Sequence, residues 1–303
     1  MNRAAQGPLY LLPFDHRHSY IGGMCQFTPP LTTQQHAAVT ASKRVIYDGF
    51  RRAVANGLPA PRAGILVDEE FGSEILRDAN AHGYITALST ETSGSDEFEF
   101  EFGDAFGEHI KAIAPTFAKV LVRYNPEGEA ALNERQTKRL KLLSDFCTAN
   151  GQEFMFELLV PATSAQLERV HGNKASYDID VRPQLMVETI RTLQDQGVEP
   201  DVWKIEGLDR REDCAAIVDV ARRGGRSNVG CIVLGRGADE QKVVAWLETA
   251  ASVPGFIGFA VGRTTFWDAV ADFLANRATR DEAVTRIAQR YQEWASIFER
   301  TQR

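Results

Sequence analysis

A lysine and a glutamate lie within the short apolar stretch at residues 202–207, which reads V-W-K-I-E-G. Lysine is depleted in β-strands and is rarely buried unless it is paired or takes part in chemistry. Side chains alternate between the two faces of a strand, so Lys204 and Glu206 would share one face and Trp203 and Ile205 the other. A lysine amine that attacks a carbonyl forms a Schiff base, and we expect this chemistry of Lys204.

Two further residues fit the same chemistry. Lys119 begins the apolar stretch K-V-L-V-R-Y, and Glu157 lies within F-M-F-E-L-L. A lysine with its ordinary pKa of about 10.4 is protonated at neutral pH and cannot attack a carbonyl. Because desolvation and a neighbouring cation both lower the pKa of a lysine, we expect Lys119 to activate Lys204 and Glu157 to transfer protons. The residues alone leave open that Lys204 is only the ion-pair partner of Glu157 or Glu206.

Polar residues and glycines also follow the ends of the other apolar stretches, and we interpret them as substrate contacts. Glycine–arginine turns after the last two stretches suit a phosphate, because backbone N–H groups, a helix N-terminus and a guanidinium all attract anions. The acidic residues would orient hydroxyl groups or Lys119. The predicted substrate contacts are Asp15, Arg17, Glu69, Glu70, Arg123, Glu206, Gly235, Arg236, Gly237, Gly262 and Arg263.

Two histidines, His16 and His18, raise the alternative of a metal site. Histidines two residues apart in a loop are a weak signal when no third ligand can be placed. We therefore predict no metal and no other cofactor. A metal-dependent sugar-phosphate lyase or isomerase that uses these two histidines stays as an alternative.

The elements that must position these residues recur along the chain. Apolar stretches alternate with helical patterns, which indicates a parallel sheet covered by helices. Eight such units predict an α/β fold, the (β/α)8 TIM barrel. An open doubly wound sheet is the alternative. The strands are predicted at 9–14, 64–68, 84–88, 119–124, 154–159, 202–206, 230–234 and 256–261, and the helices at 35–56, 73–81, 105–113, 130–150, 183–196, 211–223, 239–251 and 265–276.

Two segments lie outside this alternation. Residues 281–301 repeat apolar side chains at helical spacing, which predicts an additional C-terminal helix that packs on the barrel. Residues 97–103 read E-F-E-F-E-F-G, which predicts an extra strand or extended arm, or alternatively an interface or lid element. No linker divides the chain, so we expect residues 1–303 to form a single domain.

Composition excludes several classes of protein. The 303 residues are 44% hydrophobic and 25% charged with a net charge of −7, which argues against nucleic-acid binding. No apolar window approaches the ~20 residues of a membrane helix, and we expect the N-terminal stretch to be a first strand rather than a signal peptide. The four cysteines are far apart and form no C-x-x-C pair, which suits reduced thiols and a cytoplasmic protein.

Seven segments together resemble a known family. They are PFDHRHSY at 13–20, ILVDEEFG at 65–72, KVLVRYNPEG at 119–128, FELLVPAT at 156–163, WKIEGL at 203–208, VLGRGAD at 233–239 and FAVGRTTFWDAV at 259–270. In this order they resemble the class I, Schiff-base aldolases of the tagatose-bisphosphate aldolase type. The likeness is greatest to the 5-dehydro-2-deoxyphosphogluconate aldolase domain that is often fused to 5-dehydro-2-deoxygluconokinase.

The resemblance implies roles for individual residues. It places the iminium on Lys204 and matches Lys119, Glu157, Asp15 and Arg263 to functional positions of the family. It implies cleavage of 2-deoxy-5-keto-gluconate 6-phosphate to dihydroxyacetone phosphate and malonic semialdehyde in inositol catabolism, without a metal. A small phosphorylated sugar is thus the expected partner. The sequence leaves the oligomeric state open, and a homo-oligomer stays an alternative to a monomer because relatives of this architecture commonly associate.

The sequence departs from the tagatose enzymes at two places. It has G-R-G at 235–237 where they resemble S-A-G, and D-H-R-H at 15–18 where they resemble D-Q-R-G. These changes leave open an aldolase for another ketose phosphate, such as a tagatose-bisphosphate-like or sulfofructose-phosphate-like substrate. A barrel that only binds a sugar phosphate is the non-enzymatic alternative.

Overall fold

Eight parallel strands close into a barrel in the computed structural model, which describes residues 7–302. The strands are β1 (Leu9–Pro13), β2 (Ala63–Val67), β3 (Ile85–Ser89), β4 (Phe117–Arg123), β5 (Glu153–Leu159), β6 (Val202–Glu206), β7 (Gly230–Leu234) and β8 (Phe256–Ala260). They pair in chain order, and β8 returns to β1. The predicted (β/α)8 barrel is confirmed and the open doubly wound sheet is wrong. Residues 1–6, where no signal peptide is expected, lie outside the described residues.

Helices cover the outside of the barrel. They are α1 (Thr33–Ala55), α2 (Glu69–Ala81), α3 (Phe106–Ile113), α4 (Ala130–Asn150), α5 (Ser164–Arg169), α6 (Lys174–Ser176), α7 (Arg182–Asp195), α8 (Arg211–Ala221), α9 (Glu240–Ala251), α10 (Arg263–Leu274) and α11 (Arg280–Gln302). The short helices α5 and α6 and a π-helical turn at Tyr177–Val181 fill the connection between β5 and α7, where no helix was predicted. No helix among residues 7–302 has the length and apolar character needed to span a bilayer.

Alternate strand residues point into the barrel. Val202 of β6 belongs to a buried apolar cluster inside the barrel, whereas Trp203 and Ile205 belong to the larger core between strands and helices. The alternation predicted for residues 202–206 is therefore confirmed, and Lys204 faces inward above the apolar cluster. The inner cluster consists of Leu9, Leu11, Leu66, Ile85, Ala87, Phe117, Met155, Val202, Ile232 and Ala260.

Helix α2 begins four residues earlier than predicted. The Asp68 carboxylate accepts a hydrogen bond from the Phe71 N–H, 2.9 Å, and caps the helix. Lys43 of α1 forms a fully buried ion pair with the same carboxylate. The acids at 69 and 70 thus occupy the first helical turn, where the helix dipole favours negative charge.

The alternating segment at 97–103 folds back along the end of β3. The Thr92 N–H donates to the Glu99 carbonyl and the Glu101 N–H to the Thr90 carbonyl, both at 2.9 Å. Phe98 is buried, while Glu97 forms ion pairs with two arginines of α4. The predicted extended arm is present as a short antiparallel fold-back against residues 90–92.

The C-terminal helix α11 packs on the barrel as predicted. Its aromatic residues Tyr291, Trp294 and Phe298 are fully buried. The Tyr291 hydroxyl donates to the Tyr10 carbonyl at 2.7 Å, and the Trp294 indole donates to the Thr265 hydroxyl at 3.0 Å. The apolar repeat in this helix therefore serves packing.

Candidate active site

A cavity of about 390 Å³ opens at the carboxyl ends of the strands. This is the end of the barrel at which TIM-barrel enzymes carry their active sites, and the volume suits a small ligand. The structure brings ten of the predicted site residues to its wall: Asp15, Arg17, Arg123, Glu157, Lys204, Gly235, Arg236, Gly237, Gly262 and Arg263.

Two lysines, Lys204 on the cavity wall and the fully buried Lys119 behind it, are joined by one carboxylate. Glu157 and Lys204 lie opposite each other in the register of β5 and β6. One carboxylate oxygen of Glu157 lies 2.6 Å from the Lys204 amine, and the other lies 2.8 Å from the Lys119 amine. All three residues are buried, so the interactions between their charges are only weakly screened.

Lys119 is the fixed cation of the site. Its amine lies 2.8 Å from Asp15 and Glu157 and 2.7 Å from Glu91. Burial alone would lower its pKa, but the three carboxylates outweigh this effect and raise the pKa well above the ordinary value. Burial likewise opposes ionisation of Asp15, yet Lys119 holds the pKa of that carboxyl well below its usual range. Both groups stay charged at neutral pH.

Glu91 is a site residue that the sequence interpretation missed. It lies two residues beyond β3, lines the cavity, and places one oxygen on Lys119. Its other oxygen, Oε2, is buried and has no hydrogen-bond partner among the described residues. Burial raises the pKa of this carboxyl. The signal was present, because Glu91 is a polar residue at a strand end like those at the ends of the other strands.

Arg17 lines the cavity but its charge is already matched. The guanidinium lies 2.8 Å from Glu101 and donates a hydrogen bond to the Glu91 carbonyl. Arg17 therefore ties the end of β1 to the segment that carries Glu91. Through that tie it supports the position of the Glu91 carboxylate on Lys119.

The predicted contacts Glu69 and Glu70 lie elsewhere. Glu69 pairs with His109 of α3 at 2.9 Å, and Glu70 lies 4.0 Å from His36. Neither residue lines the cavity, and Lys119 takes Asp15, Glu91 and Glu157 as its partners instead. The acidic residues after β2 instead cap α2 and form its first turn.

Glu206 faces the inside of the barrel like Lys204 but lies behind the cavity wall. Its carboxylate lies 3.0 Å from the guanidinium groups of both Arg182 and Arg236. It also accepts a hydrogen bond from the Val160 N–H at 3.0 Å. Glu206 is thus the buried counter-charge of two arginines, one of which, Arg182 of α7, was not predicted.

The turns after β7 and β8 carry groups that suit an anion, and this part of the cavity is termed its anion-binding end. Helix α10 begins at Arg263, and Gly262, its N-cap residue, offers no side chain to the free N–H groups of the first turn. The Arg263 guanidinium donates to the Arg236 carbonyl at 3.0 Å. Within residues 7–302, the Arg263 guanidinium on the cavity wall has no carboxylate partner, so its charge is available to a ligand.

A second arginine lies across the barrel from Arg263. Arg123 ends β4, and β4 and β8 are on opposite sides of the closed barrel. Its guanidinium donates to the Ser95 carbonyl at 3.0 Å and lies 3.9 Å from Asp96, a fully exposed carboxylate. An ion pair with so exposed a partner is weak, so Arg123 also presents a cation to the cavity.

The two histidines are not arranged as metal ligands. His16 lines the cavity and packs edge-on against Phe266, and burial lowers the pKa of His16 to about 4. His18 is exposed. In the described part of the chain, no group of three or more His, Cys, Asp or Glu side chains is placed to hold a metal ion.

The family comparison covers nearly the whole chain. Residues 1–302 match the model of a family described as uncharacterized protein conserved in bacteria (DUF2090). The chain belongs to this family. No curated protein matches the DUF2090 chain in sequence.

Three solved structures share the fold of this DUF2090 protein. A fructose-bisphosphate aldolase from Plasmodium falciparum, solved with TRAP and a small-molecule inhibitor, has a TM-score of 0.66 at 13% identity and covers 98% of this chain and 92% of its own. An archaeal fructose 1,6-bisphosphate aldolase has a TM-score of 0.59 at 12% identity, and the match covers 97% of this chain and 95% of the archaeal chain. A protein from Corynebacterium glutamicum has a TM-score of 0.56 at 16% identity, and the match covers 96% of this chain and 91% of the other. At such low identities the likeness shows the fold.

Proposed function

We propose that this DUF2090 protein is a class I aldolase that cleaves a phosphorylated keto-sugar or keto-sugar acid through a Schiff base on Lys204. The observation that carries the proposal is the position of the Lys204 amine on the cavity wall, 2.6 Å from Glu157. A buried amine needs a group that can take and return its protons, and a carboxylate at hydrogen-bond distance is such a group.

The first half of the reaction forms the imine. Lys204 gives a proton to Glu157, and the neutral amine attacks the ketone carbon of the substrate. The resulting carbinolamine loses its hydroxyl as water after Glu157 returns the proton. Lys119 stays cationic next to Glu157 and holds that carboxylate in place while it takes up and returns the proton.

The second half breaks the carbon–carbon bond. Glu157 removes the proton of the hydroxyl on the carbon two bonds from the iminium carbon, and an aldehyde leaves. The electron pair of the broken bond moves into the iminium, which becomes an enamine. The enamine takes up a proton at carbon, and water then releases the ketone product and regenerates Lys204.

The two arginines across the barrel support a substrate with an anionic group at each end. Arg263 and the N-terminus of α10 suit the phosphate, and Arg123 suits a second anion. A keto-sugar acid phosphate carries a carboxylate and a phosphate at its two ends. 2-Deoxy-5-keto-gluconate 6-phosphate is such a molecule, and its cleavage gives dihydroxyacetone phosphate and malonic semialdehyde. We propose it as the substrate.

A panel of ketose phosphates and keto-sugar acid phosphates tests this function. The purified protein should release a triose phosphate, and the substrate with a carboxylate should have the highest kcat/KM. Arg123→Met should lower kcat/KM for that substrate and leave a substrate without the second anion almost unaffected. Absence of triose phosphate release from every member of the panel would refute the proposal.

A further inference from the structure

Two arginines and two acids form a cluster beside the anion-binding end of the cavity. Besides its contacts with Glu206, Arg236 lies 2.8 Å from Asp178, and Arg182 lies 3.4 Å from the same carboxylate. The two positive and two negative charges balance, and each acid contacts both arginines. The charge of Arg236 is therefore largely compensated by protein groups, unlike the charge of Arg263.

The main chain of Arg236 is in a strained conformation. Its φ angle is +50°, and that of the following Gly237 is +70°. The left-handed region is unfavourable for a residue other than glycine and persists only where the surroundings hold it. For Arg236 those surroundings are the carboxylates of Glu206 and Asp178, which hold the side chain. The side chain thus fixes the turn that follows β7.

Arg263 rests on this turn. Its guanidinium donates to the carbonyl of Arg236, and a side chain at position 237 would begin only 2.3 Å from the same guanidinium nitrogen. The Thr264 hydroxyl also donates to the Ala238 carbonyl at 3.1 Å. The conformation of the turn at 235–237 therefore sets where the Arg263 guanidinium lies over the cavity.

We propose that Arg236 is a positioning residue for the phosphate of the substrate. Asp178 and Glu206 hold its side chain, the side chain holds the turn, and the turn places Arg263 on the phosphate. This inference rests on the proposed aldolase function and specifies how its phosphate subsite is built. It differs from the expectation drawn from sequence, in which Arg236 contacts the phosphate itself.

The test compares Asp178→Asn with Arg236→Met. Asp178→Asn is isosteric, lies outside the cavity wall and leaves the buried Glu206 contacts in place. Each protein is incubated with borohydride and either dihydroxyacetone phosphate or dihydroxyacetone, and the ratio of the two trapping rates is measured. Both variants should lower this ratio about tenfold, which corresponds to the loss of one hydrogen bond to a charged group. Asp178→Asn should leave the rate for unphosphorylated dihydroxyacetone unchanged.

Two controls sharpen the comparison. Asp180→Asn removes a carboxylate from the same π-helical turn, where Asp180 pairs with Arg210 at the surface, and should leave the ratio unchanged. The double variant of Asp178→Asn and Arg236→Met should lose no more than either single variant, because both act through one turn. Calorimetric titration with inorganic phosphate should rank the proteins in the same order without any reaction.

Direct phosphate binding by Arg236 gives a different pattern. Asp178→Asn would then leave the ratio unchanged or raise it, because it frees the guanidinium, and only Arg236→Met would lower it. That pattern, or an unchanged ratio in both variants, overturns the inference. If the wild-type protein traps neither ketone on Lys204, the proposed function fails, and the phosphate titration still decides the role of Arg236.

Discussion

Lys204 and Glu157 face each other across neighbouring strands, with 2.6 Å between the amine and a carboxylate oxygen. The other oxygen of Glu157 is held by Lys119 at 2.8 Å, so the carboxylate cannot turn away from Lys204 without breaking a buried ion pair. Glu157 is therefore fixed where it can exchange protons with the amine. The predictions that follow test this arrangement and its surroundings.

Replacement of Glu157 by glutamine should remove the proton carrier and retain the shape of the side chain. Loss of general acid–base catalysis lowers kcat by about 10²- to 10⁴-fold, and we expect a fall in this range for substrate cleavage. Glu134→Gln, at an exposed glutamate that pairs with Lys138, is the matched control and should have wild-type kcat. Wild-type turnover in Glu157→Gln would show that another group carries the protons.

Replacement of Lys119 by methionine should lower the stability of the fold. The change leaves the buried carboxylates of Asp15, Glu91 and Glu157 without their shared cation, and loss of one partner of a buried ion pair costs about 3–5 kcal/mol. Urea denaturation measures the difference in the free energy of unfolding.

Two further variants show whether the loss comes from buried charge. Lys138→Met, at an exposed lysine, should change the free energy of unfolding by no more than about 0.5 kcal/mol. Adding Glu91→Gln to Lys119→Met should restore part of the lost free energy of unfolding, because a neutral amide then replaces one of the uncompensated carboxylates. Equal stability of Lys119→Met and the wild type would contradict the assignment of Lys119 as the fixed cation.

The stability of the protein should depend on pH through His16. Burial lowers the pKa of this histidine to about 4 in the folded state, whereas the unfolded chain has the ordinary value of about 6.5. The unfolded state therefore binds the proton first, so the contribution is full above about pH 6.5 and is lost as the pH falls toward 4. Thermal melts should show a smaller fall of Tm across this window for His16→Asn than for the wild type. Equal slopes would contradict a lowered pKa of His16 in the folded state.

Replacement of Arg263 by methionine should weaken binding of the phosphate. Hydrogen bonds to a charged group contribute about 1.5–3 kcal/mol, so KM for a phosphorylated substrate should rise about 10- to 100-fold with a smaller change in kcat. Arg277→Met, which removes a surface arginine paired with Asp272, should leave KM unchanged. An unchanged KM in Arg263→Met would place the phosphate elsewhere in the cavity.

Local patterns were sufficient to predict the barrel and the side of β6 that carries Lys204. Strand side chains alternate with a period of two, so the position of Lys204 follows once Trp203 and Ile205 are assigned to the outer core. The prediction for Glu69 and Glu70 is wrong because acids after a strand suit a site and a helix N-terminus equally well. Two contacts in the structure distinguish a helix N-terminus from a site here: the Asp68 carboxylate accepts from the Phe71 N–H, and Glu69 pairs with His109.

The partners of the charged residues could not be predicted from local patterns. Glu206 meets Arg182 from α7 and Arg236 from the turn after β7, and these contacts depend on how separate elements pack. Glu91 was missed because the predicted third strand ended at residue 88, whereas β3 runs to Ser89 and the chain continues in extended form to Glu91. Pairing across elements is set by tertiary structure, which periodicity does not encode.

Covalent trapping tests the central claim most directly. The protein is incubated with dihydroxyacetone phosphate and borohydride, digested, and mapped by mass spectrometry, with Lys204→Met as the control. A Schiff base on Lys204 predicts one reduced adduct at that residue and none in the variant. An adduct at Lys119 or at any other lysine, or no adduct in the wild-type protein, would contradict the proposed mechanism.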